Sequence, residues 1–355
     1  MKVTVIPGRE LGHDLLLRWA ELQQSNPALA SPHFSPEFTL AVAMARKDVE
    51  VAVIEDGNAI TAFFPFQRNG RVGTPVGGLL SDFQGLVCRP EFSLNAAVLV
   101  KRCGLMAFDF DHLLASQTFF APYHRHVERS PQLDVSNGYE AYVAERRAAG
   151  SEQIKKCGNL MRRLEREFGS LRFVDHAADA RVLRKVLGWK SQQYLEGGKN
   201  DLFALDWFRD IVERIHATQA GTFRGMLSLL YVGERLIAGH MGMRTPTVWH
   251  YWFPAYDPAG AKYSPGLVLL LKITEHAAND GVHLLDLGKG MTLYKERLMN
   301  ASVPLASGSV ELPSWLSFRR GARRKLRKLA INSPLAGPAR QFVRWARREE
   351  KSTPS

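Results

Sequence analysis

The residues best equipped for chemistry fall between Val248 and Leu298. The run Val248-Trp249-His250-Tyr251-Trp252-Phe253-Pro254-Ala255-Tyr256-Asp257 has the aromatic and β-branched content of a strand. Pro254 has no N–H to give to a ladder, so pairing is predicted to break there, as at an edge or a bulge, leaving nearby amides and carbonyls for a ligand. Tyr263-Ser264-Pro265-Gly266 then predicts a helix start, with Ser264 as N-cap and Pro265 in the first turn. Gly266 removes a side chain where an anion would approach the unsatisfied helix donors. The same triplet also serves as a plain capping device. Further on, Asp286-Leu287-Gly288-Lys289-Gly290 follows a short apolar run, which predicts a carboxylate at the end of a strand beside a flexible loop. A turn-stabilising Asp is the simpler alternative. Tyr294 and Lys295 follow on a helical stretch, adding a phenol and a cation. His240 ends the run Leu236-Ile237-Ala238-Gly239-His240 and reads equally as a base or as a packed core histidine. The rings of Trp249, Tyr251, Trp252 and Tyr256 suit a sugar face or a core.

The elements that must hold these groups are legible from pattern. Residues 15–22, 96–103, 179–195 and 207–218 read as helices, and residues 267–278 as an apolar helix stopped by Asn279-Asp280-Gly281. Two strand runs meet across Asp56-Gly57, and two more meet across Gly233-Glu234, each a hairpin signal. Helices followed by a glycine-turned hairpin and further strands occur in both halves of the chain, which suggests a duplication. Two unrelated α+β halves would show the same pattern. Between the halves, residues 150–168 form a mixed-charge helix candidate rich in Lys and Arg.

Composition bounds the class. The chain has 355 residues, 45% hydrophobic and 23% charged, so it is long enough for two packed domains and is not a disordered chain. Three cysteines (Cys88, Cys103, Cys157) lack metal-ligand spacing and form no even set, so neither a disulfide framework nor a metal site is expected. No apolar run reaches the length of a membrane span, and the first residues lack the apolar core of a secretion signal, so a cytoplasmic protein is expected. The formal net charge is +12, but residues 316–355 hold twelve Lys and Arg against two Glu. The remainder is nearly neutral, which argues against a DNA-binding body and makes the tail a separate electrostatic device.

Several stretches, in order, resemble the acetyltransferases of polysaccharide biosynthesis of the CelD/BcsL type (the BioF2-like, or Acetyltransf_6, domain of the GNAT group), which are related to the FemAB aminoacyl transferases. The stretches are Lys190-Ser191-Gln192-Gln193-Tyr194, Leu236 to His240, Tyr251 to Asp257, Tyr263 to Gly266, and Asp286 to Gly290 with Tyr294-Lys295. The resemblance covers residues ~150 to 300. It implies an α+β chain of two tandem GNAT-like (acyl-CoA N-acyltransferase) domains with mixed central sheets, residues 1–148 and 149–312, followed by a basic helical tail, 313–355. It further implies an N-acetyltransferase that uses acetyl-CoA and no metal to modify an amino sugar or related acceptor, on a lipid-linked or nucleotide-linked intermediate. Alternatives are transfer from aminoacyl-tRNA, or a non-catalytic scaffold in a polysaccharide assembly complex. The usual Gln/Arg-x-x-Gly-x-Gly/Ala pyrophosphate loop is absent, and Lys262 to Gly266 stands in its place.

On this reading the donor is held by Phe253, Tyr263, Ser264, Pro265 and Gly266, with backbone amides near Phe253 stabilising the oxyanion. Asp286 or His240 deprotonates the acceptor, and Tyr294 protonates the thiolate. Tyr251, Trp252, Tyr256, Asp257, Lys190 and Lys295 bind the acceptor. In the tail, Arg319-Arg320-Gly321-Ala322-Arg323-Arg324 is a candidate site for cyclic di-GMP. Trp315, Leu316, Phe318, Leu326 and Leu329 form the apolar side of a candidate membrane-surface helix facing anionic lipid.

Overall fold

The computed structural model describes residues 1–315 and 317–320. In the first half, β1 (Lys2–Pro7) leads through α1 (His13–Gln24) and α2 (Pro36–Ala45) into the hairpin β2 (Val49–Asp56) and β3 (Ala59–Asn69). Gly57, at φ +58°, supplies the left-handed residue that this two-residue turn needs. Then come β4 (Val72–Thr74), β5 (Val87–Cys88), α3 (Ala96–Arg102), β6 (Ala107–Leu114) and β7 (His124–Asp134).

The second half opens with α4 (Tyr139–Ala148) and α5 (Gln153–Phe168), then repeats the earlier order. It runs β8 (Leu171–Val174), α6 (Ala180–Glu196), α7 (Asp206–Ala217), and the hairpin β9 (Arg224–Val232) and β10 (Arg235–Arg244), with Gly233 at φ +54° in its turn. There follow β11 (Val248–Tyr256), α8 (Pro265–Asn279), β12 (Leu284–Asp286), α9 (Leu293–Leu298) and β13 (Ala301–Glu311).

The main strands form one sheet in the order β1-β2-β3-β4-β6-β13-β7-β12-β11-β10-β9-β8. Reading inward from either end gives the same plan. Antiparallel neighbours lead to one parallel pair, β4 with β6 and β11 with β12, and then to a final antiparallel strand. That last strand is exchanged between the halves. The C-terminal β13 pairs with β6, and β7 from the first half pairs with β12. β7 and β13 then pair with each other along residues 301–308, which makes the sheet continuous. The duplication suggested by the sequence is therefore present, as two GNAT-like units that complete one another.

Each face carries its own core. α4, α5 and α8 cover one face of the second half, burying Leu164, Val268, Leu271 and Ile273 against Trp249 and Leu285. α6 and α7 cover the other face, where Phe208 and Ile211 meet Met241 and Trp252, and α2 of the first half joins them through Phe38 and Val42. In the first half, α3 packs Leu99 and Val100 on one face, and α1 packs Trp19 and Leu22 on the other. Fully burying side chains of this size contributes about 1.5–3 kcal/mol each. The halves are thus joined both by sheet hydrogen bonds and by the shared layer of α2, α6 and α7.

Candidate active site

The parallel pair β11 and β12 is short. Val248 faces Leu284, Trp249 faces Leu285 and His250 faces Asp286, and there β12 ends while β11 continues to Tyr256. Beyond His250, β11 has no strand neighbour on that side among the described residues. The result is a slot in the sheet. At this point β11 also carries one residue more than β10, since Met241 pairs with Phe253 but Met243 pairs with His250. The bulge therefore falls at Tyr251 and Trp252, and Pro254 sits opposite His240 inside the ladder. This corrects the expectation of a break at Pro254: its missing N–H is tolerated in the ladder, and the extra residue creates the discontinuity.

One side of the slot is built around α8. Ser264 is the N-cap of α8 and Pro265 its first residue, as expected, but Ser264 has φ +49°, the only left-handed non-glycine backbone among the described residues, and its side chain makes no capping bond. Instead its carbonyl receives the Leu267 N–H (2.9 Å). A Cβ added at Gly266 would lie 3.5 Å from the Tyr256 ring, ordinary contact distance, so this turn is not plugged. The Tyr251 hydroxyl donates to the Gly266 carbonyl (3.2 Å), tying the bulge to the helix start. Tyr263 is buried, with its hydroxyl donated to Glu167 and its ring flanked by Arg163 and Lys262. It supports the turn from below. Tyr294 packs on this side, and burial raises its phenol above the ordinary range.

The opposite face holds a charged cluster assembled from both halves. Leu285 and Leu287 point into the core under α8, so by alternation Asp286 points the other way. The expectation that Asp286 and the α8 turn line one pocket is corrected accordingly: they lie on opposite faces of the slot. Asp286 is fully buried and accepts from His250 Nδ1 (2.7 Å), Ser130 Oγ (3.2 Å) and the Gly288 N–H (3.3 Å). His250 Nε2 lies 3.1 Å from Asp82 Oδ2, a looser ion-pair contact. Burial favours a neutral His250, but Asp286 and then Asp82 outweigh it, and the ring is pushed up to about 9. Burial likewise opposes ionisation of Asp82, yet His250 holds that carboxyl well below the usual range. The order Asp286–His250–Asp82 thus carries one positive and two negative charges. Asp82, a quarter exposed, is its outlet to solvent.

Neighbouring groups shape this cluster. His33 donates no charge to it, because burial and the adjacent His250 keep its ring neutral, and it accepts the Asp82 N–H (3.2 Å). His112 Nε2 approaches Asp82 from the other side (3.5 Å). Lys295 Nζ donates to the Gly288 carbonyl (2.9 Å) and is lowered by burial. Gly288 cannot carry a side chain here, since a Cβ would stand 2.8 Å from Asp82 Oδ2. Lys190, on α6, donates to the Pro254 carbonyl (2.9 Å), and burial and Lys199 bring its amine down to about 8. Crowded as these histidines and carboxylates are, no group of three or more among the described residues is arranged to hold a metal ion.

His240, expected as a possible base, is completely buried and pushed well below its ordinary value by desolvation. Its Nε2 accepts the Trp252 N–H (3.0 Å), and its ring stacks on Tyr251 at 4.3 Å, so it pins the bulge. Asp257, expected to bind the acceptor, instead caps Ala259 (3.0 Å) and pairs with Arg235 (2.7 Å). Trp249, Tyr251 and Trp252 are buried, which makes them core rather than open stacking surfaces; Tyr256 is half-buried beside Gly266. Phe253 packs between Phe203 and Phe208, with its backbone at the bulge. Sequence reasoning missed His250 and Asp82. His250 was in view as a strand residue, and its parallel neighbour Asp286 was the signal that could have marked it. Asp82 lies in a loop of the other half with no motif around it. Of the tail candidates, Arg320 pairs with Asp109 (2.6 Å) and Glu311 (3.4 Å), and Arg319 is exposed. The residues from Gly321 to Arg324, together with Leu316, Leu326 and Leu329, lie outside the described residues.

Comparison with known proteins bears on the fold. Residues 151–296 match the family model described as an acetyltransferase (GNAT) domain. No curated protein matches the chain. Among solved structures, the chain is similar to FemX, with a TM-score of 0.60 and 10% identity over 90% of this chain and 99% of that one. It is similar to the C-terminal domain (DUF2156) of an Agrobacterium fabrum chain assigned as a lysylphosphatidylglycerol synthetase, with a TM-score of 0.55 and 13% identity over 89% and 95%. It is also similar to a tandem GNAT protein from the clavulanic acid biosynthesis pathway, with a TM-score of 0.50 and 11% identity over 88% and 100%. At such identities the likeness is one of fold. The chain has the GNAT fold, built as a tandem, and its residues 151–296 match a GNAT acetyltransferase domain. No helix among the described residues is long and apolar enough to cross a membrane.

Proposed function

We propose that this chain is an N-acyltransferase that moves an acetyl group from acetyl-CoA to the amine of an amino sugar, in the making of a cell-surface polysaccharide. The observation that carries the reading is the slot beyond His250 and Asp286, with an unplugged helix start on one face and an acid–base cluster on the other. The donor enters along Pro265 and Gly266 and presents its carbonyl at the bulge. The Trp252 amide is committed to His240 and Phe253 is paired with Met241 in the β10 ladder, so the oxyanion donor expected near Phe253 is not supplied by either of these two amides.

The acceptor arrives as an ammonium and is drawn to Asp82. Pairing with it weakens the hold of Asp82 on His250, whose affinity for a proton depends on both carboxylates. His250 releases its proton to solvent, then takes one from the amine while Asp286 keeps Nδ1–H in place. The nitrogen attacks the thioester carbonyl, and the C–N bond forms as the C–S bond breaks. Tyr294, kept protonated by burial, gives its proton to the thiolate; the acylated nitrogen sheds its second proton to solvent, from which the tyrosinate is reprotonated. Lys190 and Lys295 flank the cluster and suit an anionic group elsewhere on the acceptor.

A second reading, transfer of an aminoacyl group from tRNA, draws on the fold shared with FemX. It uses the same cluster but a different donor. Incubation of the full chain with acetyl-CoA and a panel of hexosamines, beside charged tRNA, separates the two. Release of free thiol that depends on the amine supports acetyl transfer. Deacylation of the tRNA without thiol release supports the second reading, and neither product removes both.

A further inference from the structure

The described part of the C-terminal segment ends in an exposed aromatic pair. Trp315 and Phe318 are 71% and 67% exposed, three residues apart, with rings stacked at 5.6 Å. Burial in this protein does not account for them. The turn that carries them is fixed to the sheet, because Arg320 pairs with Asp109 on β6 (2.6 Å) and with Glu311 on β13 (3.4 Å). Asp109 lies two residues from Asp111 on β6, a step of about 7 Å. The Asp111 carbonyl receives Lys289 Nζ (2.5 Å), and the next residue, His112, faces Asp82. The root of the segment therefore stands one strand step from the mouth of the charged cluster. Leu79, three residues before Asp82 in the chain, and Met291, three residues after Gly288, are exposed as well.

Past this root, residues 321–355 hold ten Lys and Arg against two Glu. Exposed aromatic rings followed by dense positive charge suit one kind of surface: rings settle at a lipid headgroup boundary while cations meet anionic headgroups. We propose that the C-terminal segment docks this chain on an anionic lipid bilayer, with Trp315 and Phe318 inserted at the headgroup level and the Asp82 mouth turned toward the surface. Where the proposed acyl transfer also holds, which this step rests on, the acceptor is a lipid-borne amino sugar.

Co-sedimentation of the full chain with vesicles tests the docking without any reading of catalysis. Vesicles of phosphatidylcholine containing phosphatidylglycerol should carry the protein down, pure phosphatidylcholine should not, and high salt should release it. The paired substitutions Trp315→Ser and Phe318→Ser, at exposed positions, should weaken partitioning by about tenfold or more. Equal binding to neutral vesicles, no binding to anionic ones, or an unchanged double variant would overturn the proposal. So would retention by RNA with no vesicle binding, which would make nucleic acid the partner of the tail. Vesicle binding without thiol release, or the reverse, tells a failure of the catalytic reading apart from a failure of the docking.

Discussion

Replacing Asp82 with Asn is the perturbation that bears most directly on the cluster. The substitution keeps the shape of the side chain and removes one of the two charges that hold a proton on His250. Raising the ring from the ordinary 6.5 to about 9 corresponds to about 3 kcal/mol in favour of the protonated form. Asp286 is the stronger contributor and remains, at 2.7 Å. An opposite charge at this range moves a pKa by about 1–3 units, so the His250 midpoint should fall by roughly 1–2 units in Asp82→Asn. Titration of the histidine ring signals by NMR, with His250 assigned through His250→Gln, reads the change. The same variant should raise KM for an amine acceptor, since the ammonium loses its first partner. A His250 midpoint that stays in place would show that Asp82 does not govern this proton, and the proposed exchange of partners would fail.

Other outcomes follow from the same geometry. Gly288→Ala places a Cβ at φ +73° and 2.8 Å from Asp82; thermal unfolding should show a loss of about 1–3 kcal/mol, and acyl transfer should fall with it. Tyr294→Phe should slow turnover with a thioester donor by about a hundredfold and lose most of that penalty with a donor whose leaving thiol is more acidic. Linkage gives the cluster a stability window. The raised His250 contributes stability that is complete below its unfolded value near 6.5 and vanishes as pH rises through about 9. The depressed Asp82 contributes above the ordinary carboxylate range and loses its contribution as pH falls below it. Denaturant midpoints should therefore decline on both sides, and His250→Gln should flatten both limbs, because His250 also depresses Asp82; an alkaline limb unchanged in that variant would contradict the assignment.

Local chemistry made much of the fold legible. Gly57 and Gly233 announce their hairpins because a two-residue turn needs a left-handed residue, and the apolar run of α8 ends where Asp280 and Gly281 stop it. The repeat of helices and hairpin gave the tandem plan. The exchange of β7 and β13 was hidden, because the pairing of Ala301 with Gln132 leaves no trace in either strand's own pattern. Pro254 misdirected the reading: a missing N–H marks where a ladder is weak, whereas the break came from an extra residue at Tyr251 and Trp252, set by the register with β10. Asp286 was found, but its partners were not. The aromatic residues around His250 looked like ligand-stacking candidates and proved to be core, while the polar residue among them carries the charge. Asp82 becomes visible only when the first half folds across the second.

Calorimetric titration of acetyl-CoA into the full chain and into Gly266→Trp tests the slot most directly. An indole at Gly266 would fill the approach to the helix start beside Tyr256. The wild-type chain should bind, and a folded Gly266→Trp variant, checked by its unchanged circular dichroism, should lose that binding. No affinity in the wild-type chain, or equal affinity in both, would contradict a donor site between β11 and β12.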